Sequence, residues 1–202
     1  MSAACSRVAF LSLAAFLLMP VADATAQVVR REYAIKAGVI IMLGKCATWP
    51  AHVAPARGEP LIIGILGKDP FVESGVNQLD RAADEAKLKG SNVVLKRFDS
   101  AKDYEPCHIL FVSSLAADDA TEQTIAERVK AAQRVTGGAD VLVVGEADGL
   151  ARNGAVANLI FDRTTNLIRL EINPDAAARS GLKFTPDLLR LKLVQIVRDS
   201  KD

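Results

Sequence analysis

Apolar and polar positions along this chain fall into blocks that set its elements. The first block past the N-terminal run is EYAIKAGVIIMLGKCATWP, residues 32 to 50. Tyr33, Ala37, Ile40 or Ile41, Gly44 and Thr48 follow a helical spacing, so the pattern predicts a helix from about Arg30 to Thr48. It should end near Trp49, because the residue before Pro50 avoids the α region. Residues 51–60 read as a loop. LIIGILG, residues 61 to 67, reads as a buried strand ending in a glycine turn. The next stretch reads as a helix capped by Asp69, with Pro70 at its first position. NVVLKRF (92–98) and CHILFVSS (107–114) read as strands, Asp118 to Arg134 as a helix stopped by Gly137-Gly138, and DVLVVGE (140–146) as a fourth strand.

This β-α-β-β-α-β order, with apolar strands and amphipathic helices, predicts an α/β fold. The expectation is a single compact layered domain with a mostly parallel central sheet flanked by helices. The pattern then changes to a C-terminal hairpin and helices. AVANLIFD and NLIRLEIN flank Arg163-Thr164-Thr165 as a hairpin. Asn173-Pro174 opens a short helix that Gly181 closes, and Thr185-Pro186-Asp187 opens a last helix carrying Leu188, Leu189, Leu191, Val194 and Ile196 to the end.

The first helix poses a packing problem. Val39 to Leu43 are five consecutive large apolar residues, which wrap a helix all the way round. The run Ala37 to Gly44 is too short for a membrane span, which needs about 20 apolar residues. Ile40, Ile41, Met42 and Trp49 are therefore expected either in the core, covered by the C-terminal helices, or on a dimer face.

Residues 1–26 read as an export signal. Arg7 precedes an apolar run, Val8 to Val21, of about 14 residues, and Ala24-Thr25-Ala26 has the small-x-small form cleaved by signal peptidase. The run is shorter than a membrane anchor, and Cys5 lies before it, where it cannot serve a lipid anchor. Cleavage after Ala26 leaves residues 27–202 as one soluble domain, expected in a bacterial periplasm, with no direct membrane insertion. Arg7 and Asp23 leave together, so the formal net charge stays at +1, and this near-neutral balance speaks against nucleic acid as a partner. Cys46 and Cys107 remain. In an oxidising compartment they either pair or stay as small buried hydrophobes. A bond across their 61-residue separation would add about 4 kcal/mol on a chain-entropy model.

Candidate chemistry is thin. His52 and His108 are the only histidines, and no Cys, His or carboxylate cluster has metal-ligand spacing, so no metal and no cofactor is expected. Gly64 to Asp69 lacks the glycine spacing and the Ser or Thr of a phosphate loop. Ser113-Ser114 has no evident base, and Glu146, Asp148 and Asp162 read as solvated turn carboxylates. No nucleophile, base and orienting group can be assigned together, which makes no case for an enzyme.

Five blocks, in this order, resemble the YfiR family of small periplasmic proteins: EYAIKAGVIIMLGKCATWP, LIIGILGKDPF, CHILFVSS, VLVVGEADGLARNGAVANLIFD and IRLEINPDAAARSGLKFTPDLLRL. The resemblance runs from about Glu32 to Leu193. It implies a compact α/β regulator that binds the periplasmic segment of an inner-membrane diguanylate cyclase and represses it, lowering cyclic di-GMP and biofilm formation. It also implies a homodimer. The chain departs from the family where Gly64 replaces a frequent cysteine, and where Glu146 to Gly154 lacks a further cysteine pair. Cys107 keeps the family position without its usual partner. The C-terminal part, where Glu171, Arg179, Lys183 and Arg190 punctuate apolar residues, is the expected partner surface. The alternative is a periplasmic binding module for a small ligand or another envelope protein, unconnected to cyclic di-GMP.

Overall fold

The computed structural model describes residues 22–73, 75–88, 90, 92–117, 124–138 and 140–199. Most of the segment read as an export signal, residues 1–21, lies outside them. Helix α1 spans Ala22–Cys46, and the short strand β1 follows at Ala47–Thr48. Strand β2 is Leu61–Leu66. Where the sequence predicts a helix from Pro70, the chain instead makes a small hairpin, β3 (Val72–Glu73) and β4 (Val76–Asn77), before α2 (Gln78–Leu88). Two similar cap signals account for the difference. Asp69 is committed elsewhere, accepting from the Phe71 N–H, from the Asn77 amide and from Arg97. Asn77 caps the helix, its Oδ1 accepting from the N–H groups of Leu79 and Asp80 at 2.9 and 3.0 Å.

Strand β5 (Val93–Phe98), a 3₁₀ turn (Ala101–Asp103) and β6 (Ile109–Val112) come next. Helix α3 is Ile125–Val135, opened by a capping box between Thr124 and Glu127, so it begins seven residues after the expected Asp118 start; residues 118–123 lie outside the described residues. Strands β7 (Leu142–Gly145), β8 (Ala157–Asp162) and β9 (Leu167–Ile172), helix α4 (Pro174–Arg179), β10 (Lys183–Phe184), α5 (Pro186–Leu189) and β11 (Val194–Ile196) complete the chain. The long C-terminal helix expected from Thr185 is not formed. It stops after Leu189, and Val194 to Ile196 pair in parallel with Leu170 to Ile172 along the open side of β9.

The central sheet has seven strands in the order β5-β2-β6-β7-β8-β9-β11. All neighbours are parallel except the β8–β9 hairpin. Alternate residues divide it into two cores. Ile63, Ile65, Phe111, Leu142 and Val144 face α1 and α2, whereas Leu66, Leu110, Val112 and Val143 face α3. This is the α/β architecture that the sequence predicts.

From residue 31 on, helix α1 is buried almost all round. Over residues 31–46 its exposed positions are Arg31, Ala34, Gly38 and Lys45, a narrow stripe of spacing 3, 4 and 7. Ile40, Ile41 and Trp49 are buried, and Met42 is half-buried against the same core. The cover comes from within the chain: Leu79 and Ala86 of α2 on one side, and Ala176, Ala177, Leu182 and Leu188 of the C-terminal segment on the other.

Candidate functional site

The strand order reverses between β2 and β6, because the chain runs from β2 out to β5 and crosses back. An open α/β sheet binds its ligands at such a point, outside the carboxyl ends of the strands. In this chain the described turns at that point are tied to each other. The Lys68 N–H donates to the Leu115 carbonyl at 3.0 Å. Gly67 holds φ +96°, and a Cβ there would stand 2.5 Å from that same oxygen. The fully buried Arg128 fills the opposite side, donating to the Ser113 carbonyl through Nε at 3.1 Å and a terminal nitrogen at 2.9 Å. The Gly64 to Asp69 stretch is thus a strand-to-turn connection sealed by backbone.

Beside the crevice lies a buried charge cluster that sequence reading missed. Glu32 and Lys36 are one turn apart on α1 and share a face. The Lys36 Nζ, almost fully buried, lies 2.5 Å from Glu32 Oε1 and 2.7 Å from Glu146 Oε2. Glu146 also accepts from the Ser114 N–H at 2.5 Å, and Lys36 lies 4.7 Å from the Tyr33 ring centroid. Burial, reinforced by the Glu146 charge, pushes the Tyr33 hydroxyl well above its ordinary pKa. The cluster ties α1 to the ends of β6 and β7. Removing one member of such a buried triad leaves an uncompensated buried charge, which is strongly destabilising. Glu146 is therefore no solvated turn residue; Asp162 is one, accepting from Thr164 at the hairpin tip.

On the other face, Asn158 is fully buried and donates to the Ala147 carbonyl at 2.8 Å and to Glu171 at 2.9 Å. Its Oδ1 has no hydrogen-bond partner among the described residues and faces Gly145, where a Cβ would stand 3.0 Å away.

The amino ends of the strands are held by Trp49 and His108. The Trp49 indole donates to the His108 carbonyl at 3.3 Å, and the two rings meet edge to face at 5.7 Å. His108 Nδ1 accepts from the Ile62 N–H at 2.9 Å, and Nε2 donates to the Val53 carbonyl at 3.0 Å. That pattern needs a neutral ring, and burial lowers the His108 pKa in the same direction. His52 is exposed, 2.9 Å from Asp140. Cys46 and Cys107 are both free thiols. Cys46 packs on the α1 side of the sheet and Cys107 within the α3 side.

The four residues expected on a partner surface are not brought together. Glu171 is buried, bonded to Asn158 and 3.5 Å from Arg169, and supports the sheet from inside. Its alternation along β9 turns it under the 147–155 loop, which a sequence reading of charge alone misses. Arg179 ends α4 and forms a two-pronged pair with Asp199. Lys183 is exposed on β10, opposite Thr48, and Arg190 is exposed beyond α5, 3.5 Å from Asp187. Leu189, Leu191 and Ile196 add exposed apolar area to the same C-terminal segment. Among the described residues there is no acid, histidine or cysteine cluster able to hold a metal ion, and no helix long and apolar enough to cross a membrane.

No curated protein matches the chain. Among solved structures it is similar to the ABC domain from Streptococcus pneumonia in complex with L-Trp, at 13% identity and a TM-score of 0.47, over 80% of this chain and 60% of that one. It is also similar to a conserved domain protein from Vibrio cholerae O1 biovar eltor str. n16961, at 17% identity and a TM-score of 0.41, over 69% of this chain and 55% of that one. Residues 33–192, from the first helix through the last exposed lysine before β11, match the YfiR/HmsC-like family, and the chain belongs to that family.

Proposed function

We propose that this protein is an exported regulator that binds the periplasmic segment of an inner-membrane diguanylate cyclase and holds it inactive, lowering cyclic di-GMP and biofilm formation. Family membership over residues 33–192 is the observation that carries the reading. The N-terminal 26 residues would be cleaved as an export signal. The partner would meet the C-terminal segment through Arg179, Lys183 and Arg190, with Leu189 and Leu191 supplying apolar area between the charges. The same reading includes a homodimer, whose contact lies away from Ile40, Ile41 and Trp49, because these serve the chain's own core.

The test is cyclic di-GMP in cells lacking the gene. Deletion should raise it. The full chain should restore it, and a chain without residues 2–26 should not. Joint reversal of Lys183→Glu and Arg190→Glu should leave the fold intact, since both side chains are exposed, yet fail to restore repression. Unchanged cyclic di-GMP on deletion, with the protein produced, would refute the regulator. Full repression by the reversed variant would move the contact elsewhere.

A further inference from the structure

We propose that the groove between α3 and α4 is a binding site for a small organic dianion, gripped by Arg152 and Arg179. The cavity measures about 630 Å³, within the roughly 300–1,000 Å³ range of small-molecule sites. Gln133, Thr136 and Gly138 at the end of α3 line one side, the loop at Arg152 to Gly154 a second, and Arg179, Ser180 and Asp199 a third.

The charge of the groove favours an anion. Among the described residues its ionised groups are two guanidiniums and one carboxylate. Arg152 is exposed and makes no hydrogen bond or ion pair among the described residues. The negative ends of two helices also point here, and these would oppose an anion. They are muted by internal bonds. Gln133 and Arg134 carbonyls accept from Gly138 and Gly137, the Gly138 carbonyl from Ser180 Oγ, and the Ala177 and Ala178 carbonyls from Leu182 and Gly181. Asp199 apart, the ionised groups of the described lining are the donors Arg152 and Arg179.

Asp199 shows what the Arg179 fork accepts. Its two carboxylate oxygens meet the two terminal nitrogens of Arg179, and it takes a third bond from the Asn173 amide at 2.7 Å. These bonds, Arg179 first, hold the Asp199 carboxyl below its ordinary pKa. A planar carboxylate is the natural partner of such a fork. The C-terminal tail thus supplies an internal stand-in for one acid group, and a free dianion would displace it while reaching Arg152 with the other. Gly154 makes room for Gln133 on the groove wall: it holds φ +98°, and a Cβ there would strike the Gln133 amide at 2.2 Å. This inference goes beyond the regulator reading and stands whether or not a cyclase is the partner.

Calorimetric titration of the purified protein with succinate, at low ionic strength, tests it. Succinate should bind, and putrescine should not. Arg152→Gln, which removes an exposed group with no partner to lose, should weaken succinate at least 10-fold. Asp199→Asn keeps the amide contacts but removes the competing charge, so it should tighten succinate several-fold. That gain distinguishes a binding site from a merely structural pair. No succinate binding by either the parent or Asp199→Asn overturns the proposal. So does equal affinity in Arg152→Gln, or an affinity in Asp199→Asn no better than the parent's.

Discussion

Gly64 illustrates how one residue governs its surroundings. It sits mid-strand in β2 with no turn to serve, and it faces the α3-side core. A Cβ at this position would stand 3.2 Å from Cys107 Sγ and 2.7 Å from the edge of the Phe98 ring. The first distance suits a disulfide; the second asks an aromatic ring to tilt. Gly64→Cys should therefore form a bond to Cys107 in an oxidising medium. Alkylation of the unfolded, unreduced protein should then find Cys46 as the one free thiol of the exported chain. The chain-entropy model sets the gain at about 4 kcal/mol for this loop, less the cost of moving Phe98. Three free thiols after oxidation would show that the ring does not yield. Single residues also explain where local reading went astray. Asp69 and Asn77 carry similar capping chemistry, and only the arrival of Arg97 from β5, bonding Asp69 at 2.7 Å, leaves Asn77 to start the helix.

Elements show the same division. The apolar run of α1 announces a buried helix, and the structure supplies the missing cover from α2 and the C-terminal segment. Helix α5 is only four residues long, too short to be stable alone. Its value lies in Leu188, which is 1% exposed and belongs to the α1-side core. Leu188→Ala should cost about 2–5 kcal/mol, as for other fully buried leucines, and urea denaturation would measure it. The exposed Leu189→Ala should cost much less. Similar losses for the two would mean that α5 does not act as a lid. The sequence from Leu188 to Ile196 was misread as one helix because its apolar residues fit a helical spacing. The open edge of β9 outcompeted that preference, since strand pairing satisfies a row of backbone groups that a further helix would leave bare.

At the scale of the whole molecule, the α3-side core gives the protein a defined response to alkali. Burial pushes the Cys107 thiol up to about 11 and the Tyr104 hydroxyl up to about 12. An unfolded cysteine ionises near about 8.5. The folded state therefore holds a proton that the unfolded state releases. The stability tied to it is fully present below that value and is lost as pH rises towards the folded one. Denaturation midpoints compared at about pH 8 and about pH 10.5 should fall in the parent and fall less in Cys107→Ala. An equal fall in both would place the alkaline sensitivity elsewhere.

The sequence by itself determined the class of fold, the order of the parallel strands' segments, the burial of α1 and the hairpin of β8 and β9. These follow from local periodicity and turn chemistry, which neighbouring residues carry among themselves. Tertiary structure decided what depends on distant partners. It joined Glu32 and Lys36 to Glu146, 110 positions beyond Lys36, turned Glu171 inward onto Asn158, and recruited Val194 to Ile196 as a seventh strand. A carboxylate's exposure and an edge strand's pairing are set by what packs opposite, and no spacing along the chain encodes that.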